Sequence, residues 1–313
     1  MSRTTVSAVA QQPAPSASTA EGRAAHRSLL RRFLSRPEVG ALVGAVAVFV
    51  FFFSVAEPFR QASSMANVLY ASSTMGIMAV AVALLMIGGE FDLSAGVAVT
   101  SSALTASMFS YQLTTNVWVG VFVALCLSLS VGALNGYLLI RTGLPSFLIT
   151  LATFLMLQGL NLAVTKIFTG NVATDSISDM DGFDQAKMVF ASEVTIGGIQ
   201  VKITVFWWLF FAAIATWVLL RTRFGNWIFA VGGNANSARA VGVPVKFTKM
   251  ALFMTVGFAA WFVGMHLLFA FNTVQSGEGI GNEFLYIIAA VIGGCLLTGG
   301  YGSAIGSVIG AFI

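Results

Sequence analysis

Apolar residues fill this chain in long blocks, separated by short polar or glycine-containing gaps. A helix that crosses a membrane needs about 20 mostly apolar residues. By that measure the blocks at 39–55, 66–87, 93–112, 117–140, 145–166, 202–220, 250–272 and 284–297 each predict a span, and a run at 303–313 starts another. The predicted class is all-α: a polytopic membrane protein of about 8–10 transmembrane helices with Gly-interrupted segments. The last run stops at Ile313 with no polar tail or basic flank, which reads as a C-terminal truncation.

Residues 1–22 are rich in Ala, Ser, Pro, Thr and Gln, with almost no large apolar side chain. Such a segment buries too little surface to order itself. Arg23, His26, Arg27, Arg31, Arg32 and Arg36 then lead into the first apolar block. The chain thus divides into a disordered basic N-terminus, 1–36, and a transmembrane domain, 37–313. The "SVA" at 54–56 looks like a signal-peptidase site, but the basic flank starts late and the apolar run is long, so a retained first helix is expected.

Charge placement sets the orientation. With the N-terminus cytoplasmic, Arg141 and the loop carrying Arg221, Arg223, Arg239, Lys246 and Lys249 fall inside. The loop at about 167–200 falls outside, with Asp175, Asp179, Asp181, Asp184 and Glu193 against Lys187. Both long loops agree on one topology.

Composition supports the membrane reading. Charged residues are 9% of the chain and apolar ones 57%, against roughly 25% charged in a soluble domain. Lipid is therefore the expected surroundings. The net charge of +4 reflects membrane-edge clusters and gives no reason to expect nucleic acid. Cys126 and Cys295 lie in apolar runs and read as small core residues, not as a disulfide or metal site.

Several stretches invite a chemical reading. In "LLMIGGEFDLSAGVAVTSSA", Glu90 and Asp92 sit between two apolar runs beside Gly88, Gly89 and Gly96. One reading is a simple turn between spans. The other is a broken helix, in which the glycines release the backbone and Asp92 or Ser94 caps the next helix start. A second glycine-rich run, "IIAAVIGGCLLTGGYGSAIGSVIGAFI", repeats the Gly-Gly layout, and such matched segments point to inverted repeats around a pathway. Gly302, Gly306 and Gly310 share one helix face, where close packing is the simpler reading.

In "TRFGNWIFAVGGNANSARAVGVPVKFTK", Asn234 or Asn236 can cap a short helix of Ser237, Ala238, Arg239, Ala240 and Val241, ended by Gly242 and Pro244. A short helix there suits docking of a cytoplasmic partner. Thr150, Thr153, Gln158 and Asn161 lie in one span, and His266 in another. Thr150, Thr153 and Asn161 fit either a polar path for a hydroxyl-rich solute or interhelical hydrogen bonds; for His266, packing is favoured over a proton relay. The chain lacks G-x-x-x-x-G-K-[ST], H-E-x-x-H and G-x-S-x-G, which argues against an ATPase, a zinc protease or a serine hydrolase. A proton-coupled carrier using Glu90, Asp92 or His266 is the alternative to an ATP-driven importer.

Four stretches, "GGEFDLSAG", "LPSFLITLATFLMLQGL", "RTRFGNWIFAVGGNANSARAVGVPV" and "GEGIGNEFLYIIAAVIGGCLLTGGYGSAIGSVIGA", resemble in order the ribose/xylose-type sugar ABC transporter permeases. The likeness runs from about residue 65 to the end. It implies that 37–313 is a permease domain with no catalytic residue, metal or cofactor, working in the bacterial inner membrane. It further implies a second permease copy, ATP-binding cassette subunits docked inside, and a periplasmic sugar-binding protein outside. The solute implied is a pentose, hexose or cyclic polyol. The family's coupling segment falls on 234–242, and its Asp-Leu-Ser-x-Gly motif on Asp92, Leu93, Ser94 and Gly96. Family members continue beyond the position of Ile313. Many carry a basic residue where this chain has Gln158 and an acidic one where it has Leu285.

Overall fold

The computed structural model describes residues 37–113 and 116–313. The basic segment expected at 1–36 lies outside the described residues. Five helices open the fold: α1 (Pro37–Val55), α2 (Ala62–Ile87), α3 (Ala95–Met108), α4 (Val117–Thr142) and α5 (Ser146–Thr169). A short helix α6 (Phe183–Phe190) and strands β1 (Glu193–Ile196) and β2 (Ile199–Lys202) follow. The rest comprises α7 (Ile203–Arg221), α8 (Arg223–Gly233), α9 (Ala235–Ala240), α10 (Val245–Phe271), α11 (Asn282–Ile292) and α12 (Ala304–Phe312).

The all-α polytopic class is what the structure shows, but the number of long spans is smaller than expected. Among the described residues six helices are long and apolar enough to cross a membrane: α1, α2, α4, α5, α7 and α10. The block at 93–112 is a 14-residue helix continued by a π turn at Phe109–Leu113. The block at 284–297 breaks at Ile292, where Gly293 ends the helix and Gly294 turns to φ 91°. Window counting runs straight through a Gly-Gly pair, whereas the backbone uses that pair to leave the helix.

The spans are apolar all round, as expected where lipid replaces water on the outer face. Position in the bundle is therefore decided by small residues. The most apolar stretches of α2 and α10 are 67% and 72% buried, against 17% for α1. Gly257 of α10 lies against the Ser128 carbonyl of α4, and Gly264 against Ser102 and Val99 of α3. Ser128 Oγ also donates to the Gly257 carbonyl at 2.7 Å. These close approaches set α3 and α10 at the centre, with α4, α2 and α5 packed around them.

At one end of the bundle, an aromatic cluster joins α6 to α10. Phe190 stacks on Phe269 at 5.8 Å and meets Trp261 and Phe262 edge-on. The hairpin beside it turns at Gly197 and Gly198, φ 60° and 84°, the geometry a two-residue hairpin requires. Its ends are tied by a Glu193–Lys202 ion pair. His266 is fully buried below, with Nδ1 against the Phe190 carbonyl (2.8 Å) and Nε2 against Tyr70 Oη (2.9 Å). Both ring nitrogens are thus engaged in packing, as favoured for this residue. Of the two cysteines only Cys295 is a core residue; Cys126 is exposed on α4, where its apolar run faces outward.

Candidate functional site

The break between α2 and α3 is buried: it follows a full-length span and packs against the start of α5 and the first turns of α10. Gly88 still bonds back to Leu84 O (3.1 Å), and Gly89 then swings to φ 84°. The chain turns through buried Glu90 and Asp92, 7% and 3% exposed, before α3 starts after Ser94. Asp92 is the capping group. Its Oδ1 accepts the Ser94 N–H at 2.8 Å and the Ser94 hydroxyl at 2.5 Å. Ser94 makes no cap bond of its own: its hydroxyl donates to Asp92 and its oxygen accepts from Asn135.

Of the residues expected along a pathway, Thr150 and Thr153 reach this break, directly or through Asn135, whereas Asn161 bonds to α3. Asn135 of α4 donates to Ser94 Oγ at 2.9 Å, and Thr153 of α5 donates to Asn135 Oδ1 at 2.7 Å. Thr150 accepts the Leu93 N–H at 3.1 Å, and Ser146 accepts the Phe91 N–H at 3.0 Å. Asn161 receives the Ser101 hydroxyl of α3 at 2.8 Å. Thr150, Thr153 and Asn161 are all buried. Thr150 and Thr153 thus tie α5, and through Asn135 α4, to the break, while Asn161 ties α5 to α3. Thr153 alone also borders a groove of about 330 Å3 between α4 and α5. Gly96 is hemmed in: a Cβ there would meet the Gly279 carbonyl and the Glu283 carboxylate.

Glu90 has a separate partner. It forms an ion pair with Lys249 in the first turns of α10, with side chains 9% and 20% exposed. This pair connects the break to the basic face of the molecule, where the α4–α5 hinge and the 222–249 segment meet.

That segment is helical almost throughout. Thr222 caps α8 by accepting the Gly225 N–H at 3.1 Å. Asn234 caps α9, accepting the Asn236 and Ser237 N–H groups at 3.0 and 2.9 Å. Asn236 is inside the helix and is not the cap. The helix runs Ala235–Ala240, shifted toward the N-terminus from the expected Ser237–Val241, with Val241 as its C-cap and Gly242 at φ 85°. Ala238 anchors it by packing with Val231 and Val245.

One glycine junction joins all these parts. A Cβ on Gly232 of α8 would run into the Ile87 carbonyl and the Gly300 amide, and one on Gly299 would meet Gly89. Gly300 N–H donates to Ile87 O at 2.8 Å. The two glycine-rich runs thus touch each other and the root of α9. Gly306 and Gly310 of α12 pack on Gly293 and Ala289, as their spacing predicts, while Gly302 precedes the helix.

Lys249, Asn135 and Glu283 were not singled out by sequence. Asn135 was visible as the lone amide in an apolar span, and Glu283, 3% exposed, as an acid next to one. Lys249 reads as a flanking charge until the fold brings it to Glu90.

Residues 64–313 match the family model described as branched-chain amino acid transport system / permease component. The chain is 27% identical to the ribose import permease protein RbsC of Escherichia coli (strain K12), over 90% of this chain and 86% of that one. It is 27% identical to the xylose transport system permease protein XylH of the same strain, over 88% and 83%. The probable ABC transporter permease protein YphD, also of that strain, is 31% identical over 91% and 82%. No solved structure matches the chain. With six apolar spans and a family match over most of its length, the chain belongs to the branched-chain amino acid transport system permease family: it is a multi-pass permease subunit of an ABC transporter, not itself an enzyme.

Proposed function

We propose that the chain is one of two permease copies in an ATP-driven importer and carries a neutral monosaccharide, a pentose, hexose or cyclic polyol, across the bacterial inner membrane. The N-terminus is cytoplasmic, which puts the basic face inside in keeping with the distribution of Lys and Arg. An ATP-binding cassette subunit docks at 234–242, and a periplasmic sugar-binding protein delivers solute to the face bearing the hairpin. The break at Gly88, Gly89, Asp92, Leu93, Ser94 and Gly96, with Thr150, Thr153 and Asn161, forms the gate of the pathway.

One observation carries the reading. The break is tied through Glu90 and Lys249 to the face that presents the capped α9 helix. A displacement of α9 therefore reaches the gate through packed and charged contacts, as a two-state mechanism needs. The exposed Arg239 and the 80% exposed Val241 are available to a partner. Hydroxyl and amide groups dominate the polar network at the gate, which suits a hydroxyl-rich solute. The names of the ribose and xylose relatives support the same class.

Calorimetry with the cognate solute-binding protein tests the substrate, and a pentose, hexose or cyclic polyol should bind tightly. Tight binding of a branched-chain amino acid, and of no sugar, would overturn it. Uptake by reconstituted vesicles should require ATP and the ATP-binding subunit; uptake driven by a proton gradient alone would sink the importer. Arg239→Glu should uncouple hydrolysis from uptake or weaken assembly while the chain still inserts. Wild-type hydrolysis and uptake in both Arg239→Glu and Gly242→Pro would count against docking.

A further inference from the structure

A crevice of about 380 Å3 opens on the basic face, between the α4–α5 hinge and the α9–α10 segment. Leu139, Ile140 and Leu144 form its apolar wall. Its polar side brings together Glu90, Arg239, Lys246 and Lys249. Three cations thus share one carboxylate, and that carboxylate is paired with Lys249. Among the described residues no acid forms an ion pair with Arg239 or Lys246. A cleft with charge of one sign and low-dielectric walls concentrates its field, so this excess attracts an anionic group.

We propose, building on the docking role of 234–242, that this crevice receives a carboxylate side chain of the ATP-binding subunit, seated against Arg239 and Lys246. Continuity selects the occupant. Arg239 belongs to α9 itself, so a protein seated on that helix covers the mouth of the crevice. Val241, two residues after Arg239 and 80% exposed, offers such a partner an apolar contact on the same segment. An anionic phospholipid headgroup would meet the same cations, but a docked partner would displace it from the mouth. Charge complementarity of this kind fixes register and speeds association more than it adds affinity.

The test uses the complete complex reconstituted in vesicles containing anionic lipid. A photo-crosslinking amino acid replaces Leu144 in one preparation and Val241 in another. Both should crosslink to the ATP-binding subunit, and the Leu144 adduct should map to a peptide containing Asp or Glu. If the Val241 probe reaches the subunit but the Leu144 probe yields only lipid adducts or none, the crevice proposal falls and docking at α9 survives. If neither reaches the subunit, both fall. Lys246→Glu should weaken subunit association about tenfold at low salt, an effect that shrinks as salt screens it. Replacing the acid in the crosslinked peptide by Lys should restore association to Lys246→Glu. Wild-type association in Lys246→Glu, or no rescue by any acid in that peptide, overturns the proposal.

Discussion

The turn after α2 and the turn after α11 start with the same backbone and then diverge. Gly88, Gly89 and Glu90 bond back to Leu84, Met86 and Leu85; Gly293, Gly294 and Cys295 bond back to Ala289, Val291 and Ala290 in the same pattern. Gly89 and Gly294 both take a left-handed φ, 84° and 91°. The next position differs in kind. Glu90 forms an ion pair with Lys249, whereas Cys295 is a buried thiol without charge. The starts of the following helices differ too. Ser303 caps α12 with its own hydroxyl, which accepts the Gly306 N–H at 3.3 Å. At the first turn Asp92 takes that place and draws Ser94, Asn135 and Thr153 into one network. The shared part is a way of ending a helix within the bundle; the charged part belongs to one turn only. Under the proposed function, the gating role falls to the first turn and the second turn serves as scaffold.

The largest contrast is expected at the position where Glu90 and Cys295 correspond. Removing one partner of a buried ion pair leaves the other uncompensated, at a cost of about 3–5 kcal/mol when fully buried. Lys249 is partly exposed, so Lys249→Met and Glu90→Ala should fall near or below the lower end of that range. The combined Glu90→Leu and Lys249→Met variant should recover much of the stability and little of the uptake. Cys295→Ala should be mild in both. Thermal unfolding in detergent together with vesicle uptake checks this, and a Cys295→Ala effect as large as Glu90→Ala would erase the distinction.

Gly232 should come next, since it touches both turns at once. Its added methyl in Gly232→Ala meets backbone on both sides, and overpacking of this kind costs about 1–3 kcal/mol. Lower unfolding temperature and reduced uptake are expected together. Gly159→Ala, on the exposed side of α5 with open space around it, serves as the control and should change neither.

These contrasts also mark what could be read from the sequence. The Gly-Gly pairs, the Asp-Leu-Ser start and the Asn234 cap are local signals, carried by residues within a few positions of one another, and the structure has each of them. The α6 helix and the hairpin were missed, although Gly197-Gly198 between "VTI" and "IQV" is a hairpin signal. The pairing of Glu90 with Lys249 spans 159 positions and depends on how α2 and α10 pack. Nothing near either residue announces it. The short lengths of α11 and α12 were hidden for another reason: apolar content continues through their glycines, while helical geometry does not.

Asp92 is expected to give an intermediate effect. Loss of a cap costs about 0.5–2 kcal/mol, enough to shift a gate between two conformations without unfolding the protein. Asp92→Ala should lower uptake at near-normal membrane levels. Asp92→Asn should restore part of it, because its carbonyl can still accept from Ser94. Equal inactivity of the two variants, measured as ATP-dependent uptake, would mean that the negative charge itself is required and that capping is the wrong account.

The smallest effect, and the sharpest test of the contrast, is at Ser303. Its hydroxyl caps α12 alone and draws in no second helix. Ser303→Ala should therefore cost the usual value for a cap, about 1 kcal/mol. That loss should appear as a modest drop in unfolding temperature, with uptake per inserted molecule unchanged. Ser94→Ala removes a hydroxyl from the matching position but breaks the link between Asp92 and Asn135. It should lower uptake more than its stability loss accounts for. The comparison is made at equal membrane levels, with both variants measured by unfolding and by uptake. If Ser303→Ala impairs uptake as strongly as Ser94→Ala, the second turn moves with the first. The pathway would then be built on both repeats, and the charge at Glu90 and Asp92 would not be what makes a glycine turn a gate.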